Sequence, residues 1–256
     1  MTSATVSDAQ AWERQWRRAP DGRDDADRVA REQRNPRWAL VLDALTRTFG
    51  RLAGLRTVEL GSGRGDLSAL LAARGAEVTL LDRNDTVLSQ ARRRFDRLGL
   101  QADFVSGDLL GDLDRFQGRF DVSCSLGVIE HFRGGRRARA VAVHRTVLRD
   151  SGMTVVSVPH ALGVPYRMWK LYLEVRRWWP YGTEIPYGKG ELRQLATAAG
   201  FRRAELHASG FWQSVGDHWG RSVLGLSPDW VARRSWLDPV LGGTLTMLAW
   251  ADTGTE

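Results

Sequence analysis

Three acidic side chains, Glu59, Asp82 and Asp108, fall at the ends of three successive apolar segments. Three glycines, Gly61, Gly63 and Gly65, follow the first of them at every second position. Glycine in such a loop lets the backbone turn tightly and approach a ligand closely. A helical pattern begins at Leu67, so the loop also borders the unpaired N–H groups of a helix N-terminus. This is the chemistry of a ligand held at the carboxyl end of a strand. Spacing then separates the cofactors that are held this way. The dinucleotide fingerprint is G-x-G-x-x-G/A, with a small third residue where helix packs on strand. Counted from Gly61, that third position is Asp66, which does not fit.

Other groups could move protons or act as nucleophiles. His131 and His160 follow the fourth and fifth strand-like segments, and His218 lies further along. Histidine suits a general base near neutral pH. Cys124 sits mid-segment between Val122 and Leu126 and reads as buried packing. His144, within an amphipathic pattern, reads as structural, and for the pair Glu130-His131 a structural role is weighed above a catalytic one. Asp82 taken alone is as good an N-cap for the following helix as a ligand, with Asp85 as its rival. A single cysteine excludes a cysteine-based zinc cluster, no carboxylate cluster suggests a magnesium site, and no metal is expected.

The elements that must position these groups alternate regularly. Segments 56–61, 77–82, 102–108, 120–128 and 152–159 read as strands. Segments 67–75, 86–99 and 136–150 between them read as helices, Gly75 and Gly99 closing the first two. Such alternation implies βαβ units and a parallel sheet with helices on both faces. Upstream, 38–49 is an amphipathic helix, and residues 1–37 form a polar, charged, helical arm outside the main core, broken at Asn35-Pro36. After Pro159 the pattern changes. Residues 160–190 are rich in aromatics, Pro and Gly, 189–201 is a helix, and 202–210 and 241–251 read as further strands.

With the loop written as Glu59-x-Gly61-x-Gly63-x-Gly65, the chain resembles the class I S-adenosylmethionine (SAM)-dependent methyltransferases. The fourth-strand stretch "FDVSCSLGVIEHF" (120–132) is similar to that family's small-molecule branch, and the resemblance covers about residues 39–201. It implies an α/β, Rossmann-like, doubly wound seven-stranded sheet, mostly parallel with an antiparallel last strand. It implies SAM as the cofactor, held by Glu59, Gly61, Ser62 and Gly63. Asp82 would take the ribose hydroxyls, Arg83 would lie against the adenine, Asp108 and Leu109 would take the adenine edge and ring, and Ser125 would complete the set. Residues 1–37 become an arm or lid on a methyltransferase domain spanning 38–256, with roof insertions at about 160–190 and 211–240. The expected reaction is methyl transfer to an O or N atom of a small molecule such as a specialised metabolite, with His131 or His160 as base. The alternative keeps fold and cofactor but serves a macromolecule, a different SAM-dependent reaction or a non-methylating one.

Composition narrows the partners. The net charge is +7, but arginine supplies all of the 37 basic residues except Lys170 and Lys189, in scattered pairs without a stripe. That reads as a solvated surface, with no nucleic-acid footprint. The fourth strand lacks the Asn/Asp-Pro-Pro-Tyr/Phe signature of amino-group nucleic-acid methyltransferases. No apolar run reaches the roughly 20 residues of a membrane span, and the N-terminus lacks a signal-peptide pattern. The expectation is a cytoplasmic protein without membrane partners. All eleven tryptophans and all four tyrosines fall outside 39–158, the cofactor-binding half. Aromatic walls there suit an apolar, aromatic or cationic small molecule.

Overall fold

The computed structural model describes residues 12–13, 16–17, 25–216 and 233–252. Its centre is a seven-stranded sheet in the order β3-β2-β1-β4-β5-β7-β6. The strands are β1 Arg56–Leu60, β2 Glu77–Asp82, β3 Asp103–Ser106, β4 Phe120–Leu126, β5 Leu148–Pro159, β6 Arg203–Ser209 and β7 Thr244–Trp250. The first five pair in parallel, and β7 runs antiparallel to both β5 and β6. The doubly wound sheet with an antiparallel last strand is therefore the fold of this chain.

Helices are numbered here in chain order over the described residues: α1 Asp25–Arg34, α2 Pro36–Phe49, α3 Asp66–Ala72, α4 Asp85–Leu98, α5 Gly135–Val147, α6 Val164–Val175, α7 Lys189–Ala198, α8 Phe211–Val215 and α9 Asp238–Leu241. The strand period of two sends alternate side chains to opposite faces. Val58 and Leu60 join a core with Val141 of α5 and Leu192 of α7. Val78 and Leu80 join a second core with Leu45 of α2, Leu70 of α3 and Phe95 of α4. Asn35-Pro36 is the start of α2, with the Asn35 side chain accepting from Arg37 N and Pro36 in the first turn. On α4 the cap is Asn84, whose side chain accepts from Val87 N, so neither Asp82 nor Asp85 has that task.

Helix α1 departs from the expectation of an arm outside the core. Asp25, buried, pairs with Arg97 at 2.5 Å and lies 3.7 Å from both Arg64 and Arg94. Arg94, fully buried, also binds Asp66 at 2.5 Å and donates to the Arg64 carbonyl. A polar-looking helix is thus drawn onto α3 and α4 by charge. Polarity alone could not reveal this, because the pairing partners lie about 40–70 residues downstream. Three guanidiniums surround Asp25, so its removal leaves buried positive charge behind. Asp25→Ala is expected to cost about 3 kcal/mol of stability, read as a lowered Tm in thermal unfolding. An unchanged Tm would show that α1 is held by other contacts.

Candidate functional site

A cavity of about 930 Å³ opens at the carboxyl ends of β1, β2, β3 and β4. Its floor is the glycine loop between β1 and α3. Gly61 and Gly65 both have φ of +71°. A Cβ on Gly65 would come within 2.4 Å of Leu80 Cδ2, and one on Gly61 within 2.7 Å of Val128. Both positions therefore favour glycine on two counts, their left-handed backbone and the close approach of the Leu80 and Val128 side chains.

Two carboxylates fix this loop. Glu59 is buried at the end of β1, and its Oε2 accepts from Ser68 Oγ at 2.6 Å and from Ser68 N at 3.1 Å. It thereby satisfies one of the open N–H groups in the first turn of α3. Burial pushes its pKa up to about 7, against the opposing pull of the two Ser68 bonds. Asp82 Oδ2 accepts from Gly63 N at 2.9 Å, and Oδ1 from Asn84 N at 3.0 Å. Burial raises its pKa, while these N–H groups counter the shift. Each oxygen keeps lone-pair capacity for a hydroxyl in the cavity.

Gly61, Ser62, Gly63, Asp82, Arg83, Asp108 and Leu109 all line the cavity, as does Glu59. Asp108 Oδ1 accepts from Leu110 N at 2.8 Å, which orients the turn after β3. Ser125 does not line it. It shares a strand face with Ser123, and its hydroxyl meets His144 Nε2 of α5 at 3.0 Å, leaving Leu126 and Gly127 at the cavity wall. His144 is fully buried, and burial takes its pKa down to about 3, so it is a neutral member of a core network. Burial likewise raises the Cys124 thiol, consistent with packing.

The two histidines part company. His131 lines the cavity, with Nδ1 2.5 Å from the Thr183 carbonyl and its ring edge-on to Trp12 at 5.0 Å. His160 is buried outside the lining, with Nδ1 donating to Gly242 O at 3.0 Å and burial lowering its pKa. His218 lies outside the described residues. Tertiary folding also builds a carboxylate cluster that the sequence did not suggest. Ligand atoms of Glu130, His131 and Glu184 lie within 4.8 Å of one another. Burial pushes Glu130 well up and Glu184 up to about 7. Glu184 accepts from the Tyr166 hydroxyl.

Two tryptophans of the N-terminal arm complete the wall, as the placement of the aromatics outside 39–158 leads one to expect. Trp12 and Trp16 stack at 6.0 Å and line the cavity, and Trp16 is the nearest neighbour of a Cβ placed on Gly63. Glu13 holds them down, accepting from Asn84 Nδ2 at 2.6 Å and Thr86 Oγ1 at 3.1 Å. In the sequence the two tryptophans stand four residues apart, a helical spacing, within the tryptophan-bearing segments outside 39–158. A smaller cavity of about 240 Å³ shares Gly127 and is lined by Arg37, Glu130, Tyr166 and the end of β5.

This sheet order, with a glycine loop and acidic strand ends around one cavity, defines a protein of the nucleoside-cofactor-binding α/β class. Comparison with known proteins narrows the class. A family described as Methyltransferase domain matches residues 58–152. A ubiquinone biosynthesis O-methyltransferase of Azorhizobium caulinodans is 31% identical over 185 residues, 67% of this chain and 72% of that protein. One of the same name from Azotobacter vinelandii is 36% identical, but over only 32% of this chain and 35% of its own length. The structure of magnesium protoporphyrin IX methyltransferase from Synechocystis PCC 6803 with bound SAM aligns with a TM-score of 0.61 over 98% of both chains, at 15% identity. The chain belongs to the class I SAM-dependent methyltransferases, and its cofactor is SAM. The donor set fits that cofactor. The Ser62 hydroxyl is buried at the cavity wall with no hydrogen-bond partner among the described residues, and Asp82 lines the same cavity with its carboxylate.

Two expectations follow for these carboxylates. Asp82→Ala should weaken S-adenosylhomocysteine (SAH) binding by about 1–2 kcal/mol in calorimetry, through loss of a charged acceptor; unchanged affinity would remove Asp82 from the site. Glu59 has an ordinary pKa of 4.5 when unfolded and about 7 when folded. Between those values the folded state holds a proton that the unfolded state has released, so this contribution to stability falls as pH rises through about 7. In Glu59→Gln the decline of Tm between roughly pH 5 and 8 should shrink by about 2–4 °C. Parallel Tm profiles would place the pH dependence elsewhere.

Proposed function

We propose that this enzyme methylates a hydroxyl oxygen of a small molecule, a specialised metabolite with an apolar or aromatic body, and that His131 is the general base. The observation that carries the reading is the setting of His131. A carbonyl can only accept, so the 2.5 Å contact with Thr183 O assigns the proton to Nδ1. In the neutral ring the lone pair is then on Nε2, the atom able to take a hydroxyl proton. SAM supplies a methyl group on a positively charged sulfur, an electrophile that needs no further activation.

The rest of the chemistry belongs to the chain. Glu59, Gly61, Ser62, Gly63, Asp82, Arg83, Asp108 and Leu109 hold the cofactor. Trp12 and Tyr181, 5.9 Å apart, offer flat apolar surfaces near His131 for the acceptor's body. The edge-on Trp12 contact also holds the imidazole ring's orientation, which limits the wasted approaches that slow a bimolecular step. Trp12 and Trp16 serve as the lid and the 160–190 connection, through Thr183, as the roof, excluding water while the proton moves. Residues 217–232 of the expected 211–240 roof lie outside the described residues. Support for an oxygen acceptor comes from the names of the relatives, which are O-methyltransferases.

The test is methyl transfer from labelled SAM to a panel of phenols, aliphatic alcohols and amines. A phenol or alcohol should be the methylated class. His131→Ala should lower kcat by more than about tenfold while leaving SAH affinity nearly intact. A preference for amines, or near-parental kcat in His131→Ala, would overturn the oxygen acceptor or the base respectively.

A further inference from the structure

Helix α6 stands out because its apolar side faces solvent. Val164, Met168, Leu171 and Val175 recur at separations of four, three and four residues, which aligns them on one helical face. All four are exposed, from 46% at Val164 to 74% at Val175. Tyr172 and Trp178 extend the stripe at its C-terminal end, at 42% and 57% exposure. The opposite face is the buried one, through Tyr166 and Lys170. A contiguous exposed patch of this size marks an interaction surface.

The flanks say what it fits. On a helical projection Arg167 borders one side of the stripe and Arg176 the other. The Arg176 guanidinium lies over Trp178 at 4.3 Å and over Tyr172 at 5.9 Å. Residues 161–182 carry Arg167, Lys170, Arg176 and Arg177 against one acid, Glu174, which is engaged by Lys170. A second copy of this chain would set like-charged flanks against each other. An anionic lipid surface is complementary to both features, taking the apolar stripe at the acyl boundary and the arginines among the headgroups. Tyr and Trp, apolar bodies with polar tips, suit that boundary.

We propose that α6 is a peripheral membrane-docking helix, which lies flat on anionic bilayers. At 12 residues it is far too short to span one. The chain that leaves it reaches the cavity directly, since Tyr181 meets Trp12 and Thr183 holds His131. Docking would therefore set the mouth of the site against the bilayer, where apolar acceptors accumulate. The binding itself is independent of the acceptor and of His131.

The test is flotation of the full chain with vesicles of phosphatidylcholine, with and without phosphatidylglycerol. The expected result is binding to the phosphatidylglycerol vesicles, lost in high salt and at least about tenfold weaker on phosphatidylcholine alone. Leu171→Gln with Val175→Gln should reduce binding by about tenfold or more, with SAH affinity and far-UV circular dichroism unchanged. Arg167→Gln with Arg176→Gln should erase the preference for the anionic lipid. Absence of binding to either vesicle, or equal binding by the Leu171/Val175 variant, would overturn the proposal. So would a dimer in sedimentation velocity that the same variant dissolves, because a second copy would then cover the stripe.

Discussion

The site depends on a backbone loop being held against the sheet more closely than side chains would ordinarily allow. Glu59 ties the far side of the loop to α3 through Ser68, and Asp82 ties its middle through Gly63 N. Leu80 and Val128 fill the space that a Cβ would need at Gly65 and Gly61. The floor of the cavity is thus fixed by contacts with β2 and with the turn after β4. A buried carboxylate is costly to ionise, and Glu59 shows that cost in its raised pKa. Its two bonds to Ser68 offset part of it, and in return they order the helix N-terminus that faces the cavity.

Against this floor stands a wall from distant parts of the chain. Trp12 and Trp16 come from before the fold, and Tyr181 and Thr183 from the connection after β5. They meet around His131, which belongs to the short turn after β4. The floor is built from short-range strand–loop–helix geometry. The wall is built from irregular segments whose positions are decided by aromatic contacts and by bonds such as Glu13 to Asn84. That division suits an enzyme with a constant cofactor and a particular acceptor, because function varies on loops while the scaffold stays rigid.

The segment between β5 and α7 joins two surfaces of the molecule. One end supports His131 through Thr183, and α6 presents an apolar stripe outward. A helix that buries Tyr166 and Lys170 and exposes Met168, Leu171 and Val175 runs against the usual sense of amphipathic burial. Its inward face is held by polar and aromatic contacts, with the Lys170 ammonium 4.7 Å from the Trp179 ring and Tyr166 bonded to Glu184.

The sequence alone determined the parallel sheet, the glycine loop and the acidic strand ends, because each is set by local chemistry. Alternating and helical periodicities specify strands and helices, and left-handed turns demand glycine wherever the fold carries them. Thus Gly61, Gly63, Asp82, Asp108 and Leu109, which line the cavity, are legible in the sequence alone. Only tertiary structure decided which face of β4 Ser125 takes, since a period of two gives alternation without saying which side is the cavity. It also separated His131 from His160, two histidines equivalent by position after a strand, because the turn after β4 opens to the cavity while β7 and its preceding loop cover the end of β5. The docking of α1 through Asp25, the meeting of Glu130 with Glu184, and the outward apolar face of α6 were equally hidden. Each rests on groups brought together across tens of residues or on which side of a helix meets a neighbour, and those are properties of packing that no local pattern carries.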